Sequence, residues 1–159
     1  MRFSTVILVI AIIFWGVLLG GIVYSHIVYF PVYLSNLPDS AILVNGTYAL
    51  HEEKFWKAIH PVLVVTLIIT IITNWRNKAR RKNILISSVL YAIVLIVSSI
   101  YFIPELISFS KSAASSLPPS YWASRSSSWM TYSIIRGVLM FAAIIPLFIA
   151  LLKPGLNKQ

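Results

Sequence analysis

The chain has 159 residues and a formal net charge of +9, with 58% hydrophobic and only 11% charged residues and a mean hydropathy of +0.86. A soluble domain of this size cannot hide so much apolar surface, so the composition excludes an ordinary water-soluble enzyme and points to lipid as the solvent. The lack of cysteine excludes disulfides, thiolate metal sites and cysteine nucleophiles.

A bilayer core needs about 20 apolar residues per helix. Four such runs occur: Thr5 to about Phe30, Phe55 to Thr73, Ile84 to Leu106, and Trp129 to Leu152. The fold class read from them is all-α, a four-transmembrane-helix bundle forming a single membrane domain over 1–159. Arg2 precedes the first run as in a signal peptide, but the run is too long for one and lacks a small-residue cleavage site, so it reads as a retained span. Gly16, Gly20 and Gly21 in span one permit close backbone approach, within the bundle or along a homo-oligomer seam.

The connection from Pro31 to Leu50 is entered through Tyr29, Phe30 and Tyr33, an aromatic belt leading into a polar turn with Pro38, Asp39 and Gly46. Asn45-Gly46-Thr47 matches a glycosylation acceptor, a tripeptide common by chance. Between spans two and three lie Arg76, Lys78, Arg80, Arg81 and Lys82. With alternating spans Arg2, Lys153 and Lys158 fall on the same side, while Asp39, Glu52, Glu53 and Glu105 fall near the other. Short basic loops stay in the cytoplasm, so both termini read as cytoplasmic. The basic run then contacts anionic lipid rather than nucleic acid. The protein reads as an integral membrane protein of a bacterial inner (plasma) membrane. The third connection, Ser108 to Ser128, is serine-rich and carries Pro118, Pro119, Tyr121 and Trp122, as expected of an interfacial segment over the outer mouth.

Charges inside a bilayer cost several kcal/mol unless paired or hydrated, so each intramembrane ionisable group is a candidate site. At a rise of about 1.5 Å per residue, His60 lies roughly 10 Å inside the outer end of span two and Arg136 roughly 10 Å inside that of span four. His26 lies near the outer end of span one, and Glu105 caps span three just after Pro104. Glu53, Lys57 and His60 share one helical face, with Trp56 four residues before His60 and Pro61 after it. Arg136 calls for an anionic partner, Glu105 or Glu53. The inner halves are nearly free of polar groups, so the spans enclose a cup opening away from the cytoplasm rather than a path across the membrane. Each residue also has a bland reading: solvated helix entrance for Glu53, Lys54 and Lys57, structural histidines for His26 and His60, a structural ion pair for Arg136.

Trp129 is followed by Arg136 in Trp-Met-Thr-Tyr-Ser-Ile-Ile-Arg, Phe55-Trp56 stands ahead of Pro61, and Tyr29-Phe30-Pro31 closes span one. These positions, and four spans of matching order and length over nearly the whole chain, resemble the anthrone-oxygenase-like family of small four-span membrane proteins, most of which have no assigned activity. The family often has His where this chain has Ser133. Fungal members are associated with oxidising anthrones to quinones with oxygen and no established cofactor, so the resemblance implies an oxygenase-like activity.

Three functions follow. The first is a membrane oxidoreductase, oxygenase-like, acting on a hydrophobic small molecule. In it His60, Arg136 and Glu53 are the catalytic candidates, with His60 as base and Arg136 stabilising an oxyanion. Trp56, Trp129, Lys57 and Tyr132 would hold the substrate. No cofactor is dictated: a metal version draws on His26, His60 and Glu105, and a haem version on the two histidines. The second is a non-catalytic small subunit of a larger membrane complex, or a binder of lipid, quinone or haem. A transporter is the third.

Overall fold

The computed structural model describes residues 3–154. Arg2 and Lys158, counted above among the basic residues, lie outside the described residues. Among those described there is no strand. Four helices are long and apolar enough to cross a membrane: α1 Phe3–Tyr33, α2 Glu52–Thr73, α3 Lys78–Ser110 and α4 Pro119–Leu152. Helices are what a lipid solvent demands, because every backbone polar group must be satisfied within its own segment. Side-chain hydroxyls in the apolar stretches comply by bonding back one turn, as Thr66 does to the Val62 carbonyl, Thr70 to Thr66 and Ser88 to Ile84.

Two helices run well beyond their apolar stretches. α4 begins at Pro119 rather than Trp129, α3 starts at Lys78, and it continues past Glu105 to Ser110. Hydropathy marks only the lipid-matched part of a helix, whereas the backbone stays helical until a breaker intervenes. Here Pro119 at the first helical position starts α4, and Asn77 caps α3 by accepting from the Arg80 N–H at 3.2 Å. The serine-rich connection is thereby reduced to a short stretch around Ser112–Ala114, and Lys78, Arg80, Arg81 and Lys82 become the first turns of α3 instead of a loop.

The starts of α1 and α3 meet the ends of α2 and α4 at one end of the bundle, here called the terminal end. Arg80, only 4% exposed, donates to the Lys153 carbonyl at 2.8 and 3.0 Å and to Thr5 Oγ1 at 2.9 Å. Asn74 reaches the Ser4 carbonyl, and Asn77 the Pro154 carbonyl. Arg80 is therefore a staple between three helices, not a lipid contact.

α2 has 22 residues against 31, 33 and 34 for the others. At about 1.5 Å per residue it stops roughly 13–18 Å short of their length, and the apolar interior divides accordingly. One core, around Leu8, Trp15, Leu63, Ile84 and Leu147, draws on all four helices. A second, aromatic core at the far end draws on α1, α3, α4 and the α1–α2 connection but not on α2: Tyr29, Phe30, Tyr33, Phe102, Phe109, Trp122 and Trp129. Leu34, Leu37 and Ala41 of the connection are buried in it, and Asn45 is tied to the Ser110 carbonyl at 2.5 Å. The cup anticipated from the polar residues thus has a roof.

α1 and α3 each contain one wide turn, Ser25–Tyr29 and Ser98–Phe102. Both precede a proline. Pro31 and Pro104 carry no N–H, and their rings crowd the carbonyl one turn back. The ladder slips by one residue, so the Phe30 N–H bonds to the Ser25 carbonyl and the Ile103 N–H to Ser98. Each wide turn begins with a serine six residues before the proline.

Candidate functional site

A polar layer occupies the level between the two cores. On α4 the buried stripe Trp122, Ser126, Trp129, Ser133, Gly137 and Met140 runs at helical spacing. Arg136 stands beside it, one turn below Ser133. Its guanidinium donates to Ser133 Oγ and, across to α3, to Ser98 Oγ, both at 3.0 Å. The charge also lies 4.0 Å from the centre of the Phe102 ring, a cation–π contact.

Ser133 passes the contact on to α1. His26 Nε2 is 3.0 Å from Ser133 Oγ, and His26 Nδ1 is 2.7 Å from the Ile22 carbonyl. A carbonyl only accepts, so Nδ1 carries a hydrogen, and for a neutral ring Nε2 is then the acceptor from the Ser133 hydroxyl. The two wide turns bring Ser98 to Arg136 and turn Ser25 towards α2, where its hydroxyl donates to Glu52.

Beside this chain runs a column of rings: Trp56 on His60 at 5.7 Å, His60 on Tyr91 at 6.0 Å and Tyr91 on Trp15 at 5.3 Å. The Tyr91 hydroxyl is 2.7 Å from His60 Nδ1. Nε2 of His60 has no bond within the described residues and is not among the sealed unsatisfied atoms, so it is the nitrogen left for a ligand. Gly21 makes the fit between α1 and α2 possible, because a Cβ there would run into the Phe55 ring and lie 3.2 Å from Trp56. Gly16 and Gly20 meet nothing within 4 Å, so of the three glycines only Gly21 serves a helix contact within the bundle.

Several anticipated contacts are not made. Glu105 is gripped by Arg125, with Nε to Oε2 at 3.0 Å and Nη2 to Oε1 at 2.5 Å, because the early start of α4 sets Arg125 opposite the end of α3. Glu53 is exposed and sits 3.2 Å from His51. Arg136 therefore has neither of its expected carboxylate partners. Among the described residues the two ion pairs are His51–Glu53 and Arg125–Glu105, and Arg136 belongs to neither.

Lys57 points outward and is exposed. Tyr132 is 54% exposed and leans on Tyr101 at 6.0 Å. Trp129 is 0% exposed; its indole N–H donates to the Phe102 carbonyl at 3.1 Å, and Phe30, Phe102 and Phe109 enclose it. It is a pillar of the roof rather than a wall open to a ligand. The metal set His26, His60 and Glu105 is not assembled. No three His, Asp or Glu side chains converge among the described residues, and both ring nitrogens of His26 are engaged, which leaves it no lone pair for a metal or a haem iron.

The residues that complete the layer, Ser25, Ser98, Tyr91 and Glu52, carried little signal on their own. The recurrent Ser–Pro spacing of six would have marked the first two. Compared with family models, with curated proteins and with solved structures, the chain matches none.

Proposed function

We propose that this protein is a membrane-embedded, oxygenase-like oxidoreductase whose polar layer takes up a hydrophobic molecule bearing an acidic hydroxyl or an enolisable carbonyl. The observation that carries the reading is Arg136: a permanent cation between two apolar cores, held by two neutral hydroxyls and an aromatic face with no carboxylate of the described residues against it. Such a charge is poised for an anion brought by a ligand, and in a low-dielectric site its effect on a developing oxyanion is large. His60, whose Nε2 makes no bond among the described residues while Nδ1 meets Tyr91, supplies the base in the same reading.

In this reading His60 takes the proton at Nε2 while its Nδ1–H donates to Tyr91, and Arg136 holds the resulting enolate or phenolate. The anion then reacts with oxygen. For an anthrone the ring CH2 becomes a carbonyl with one oxygen atom of O2, and the other leaves as water. The resemblance at Trp129–Arg136 supports this chemistry, and His26 brings an imidazole against Ser133 where the family often carries one. The basic terminal end supports a reading in which both termini are cytoplasmic, in a bacterial plasma membrane, with the layer nearer the outer leaflet.

Oxygen uptake and quinone absorbance, measured with an anthrone on purified protein, test the proposal. Saturable turnover that falls about 100-fold in Arg136→Met and His60→Ala, both still folded, is the expected result. Turnover no faster than the uncatalysed reaction, or unchanged in both variants, overturns it. A second reading, a non-catalytic binder of lipid or quinone in a larger complex, is favoured by the way Arg136, Ser133, His26 and Ile22 bond into one chain; Arg136-dependent ligand binding without oxygen uptake would select it.

A further inference from the structure

The structure contains a cavity that this chemistry does not use. A groove of about 460 Å³ runs between α1 and the start of α2, lined by Val17, Gly20, Tyr24, Tyr29, Phe55 and, at its polar end, Glu52. Its volume is within the range of small-molecule sites. Its walls are aliphatic and aromatic, and Val17, Gly20 and Tyr24 are exposed along the side that lipid would cover.

Glu52 differs from the other acidic residues of the bundle. Glu105 is neutralised by Arg125 and Glu53 lies against His51, whereas Glu52 forms no ion pair with any described cation. It accepts from the buried Ser25 hydroxyl, a neutral donor that holds its carboxylate without supplying a compensating charge. A fixed anion at the end of an aromatic-walled slot is complementary to a cation with an apolar body, which would gain both the charge contact and cation–π attraction.

We infer that the Glu52 groove is a binding site for a lipophilic cation, an ammonium or comparable onium head carried on a compact hydrocarbon or aromatic body. The lining contains no Lys or Arg, and its His51 lies against Glu53, so no permanent cation is there to receive the phosphate of an aminophospholipid; the occupant is a cation without an attached phosphate. Entry is sideways between α1 and α2, with the head against Glu52 and the body over Gly20 towards Val17. The site adjoins the Arg136 layer through Ser25 and Glu52 and selects the opposite charge.

The experiment is equilibrium binding of radiolabelled tetraphenylphosphonium to the purified full chain in dodecyl maltoside. Saturable binding of one cation per chain is expected, weakened at least tenfold by Glu52→Gln and unchanged by the neighbouring Glu53→Gln. Gly20→Leu, whose new side chain starts in open space and fills the slot without touching the charge, should weaken it as well. Arg136→Met should leave it intact, so this site and the proposed oxygenase site can fail independently. Non-saturable uptake, equal affinity in Glu52→Gln, equal binding of the isosteric anion tetraphenylborate, or stoichiometric displacement by phosphatidylethanolamine would each overturn the inference.

Discussion

Arg80 and Arg136 are both arginines within the helical bundle, and the protein treats them in opposite ways. Arg80, at the terminal end, donates to the Lys153 carbonyl and the Thr5 hydroxyl, groups fixed at the ends of two other helices. The helix C-terminal carbonyls carry partial negative charge that offsets the guanidinium. Arg136, between the two cores, has two serine hydroxyls and the Phe102 ring. Hydroxyls accept a hydrogen bond but bring no net charge. The first arginine completes the fold; the second leaves a positive potential in the middle of it, which costs stability and is useful only if something anionic arrives.

The largest effect that tests this contrast is on stability at the terminal end. Arg80→Met should lower unfolding stability by about 3 kcal/mol, since it strands the Lys153 carbonyl and the Thr5 hydroxyl at a buried helix junction, and thermal unfolding in detergent will show it. Arg136→Met should do the reverse: stability unchanged or slightly raised, because an uncompensated charge is replaced by an apolar side chain, while anion-dependent binding or turnover falls about 100-fold, or ~2.7 kcal/mol. Equal destabilisation by both substitutions would make Arg136 a second staple.

A smaller effect probes the wide turn. Pro104→Ala restores the missing N–H and lets α3 resume its regular ladder, which rotates Ser98 away from Arg136. A loss in ligand affinity of about tenfold, ~1.4 kcal/mol, with helix content by circular dichroism preserved, is expected; unaltered affinity would show that Ser98 does not help position the guanidinium. The smallest effect belongs to Glu105→Gln. The Arg125–Glu105 pair is partly open to solvent, so its loss should cost at most about 1 kcal/mol and leave function untouched. A larger loss of turnover there would return Glu105 to the site.

Much of the architecture was legible before any coordinates. Apolar run length alone located the four helices long and apolar enough to cross a membrane, because a bilayer tolerates little else of that length and composition. Intramembrane cost alone singled out His26, His60 and Arg136, and Trp56 on His60 followed from a spacing of four on one helix. The partners of those residues were not legible. Arg136 was expected to meet a carboxylate, but whether one is left for it depends on where α4 begins, and Pro119 sets that ten residues before the apolar run starts. Arg125 then reaches Glu105 first. Likewise Glu53 and Glu52 are adjacent in sequence, and only the packing of α2 against α1 decides that Glu52 turns to Ser25 while Glu53 stays in the open.

The sequence by itself thus determined the number of helices and the asymmetric placement of basic and acidic residues. These are properties of one segment and its solvent, which composition and length suffice to specify. The tertiary structure decided which polar groups meet. It also decided that a second, aromatic core roofs the layer and that a cavity opens beside Glu52. Those outcomes depend on helix phase and on two proline-induced wide turns, which shift the ladder by one residue and with it the direction in which Ser25 and Ser98 point.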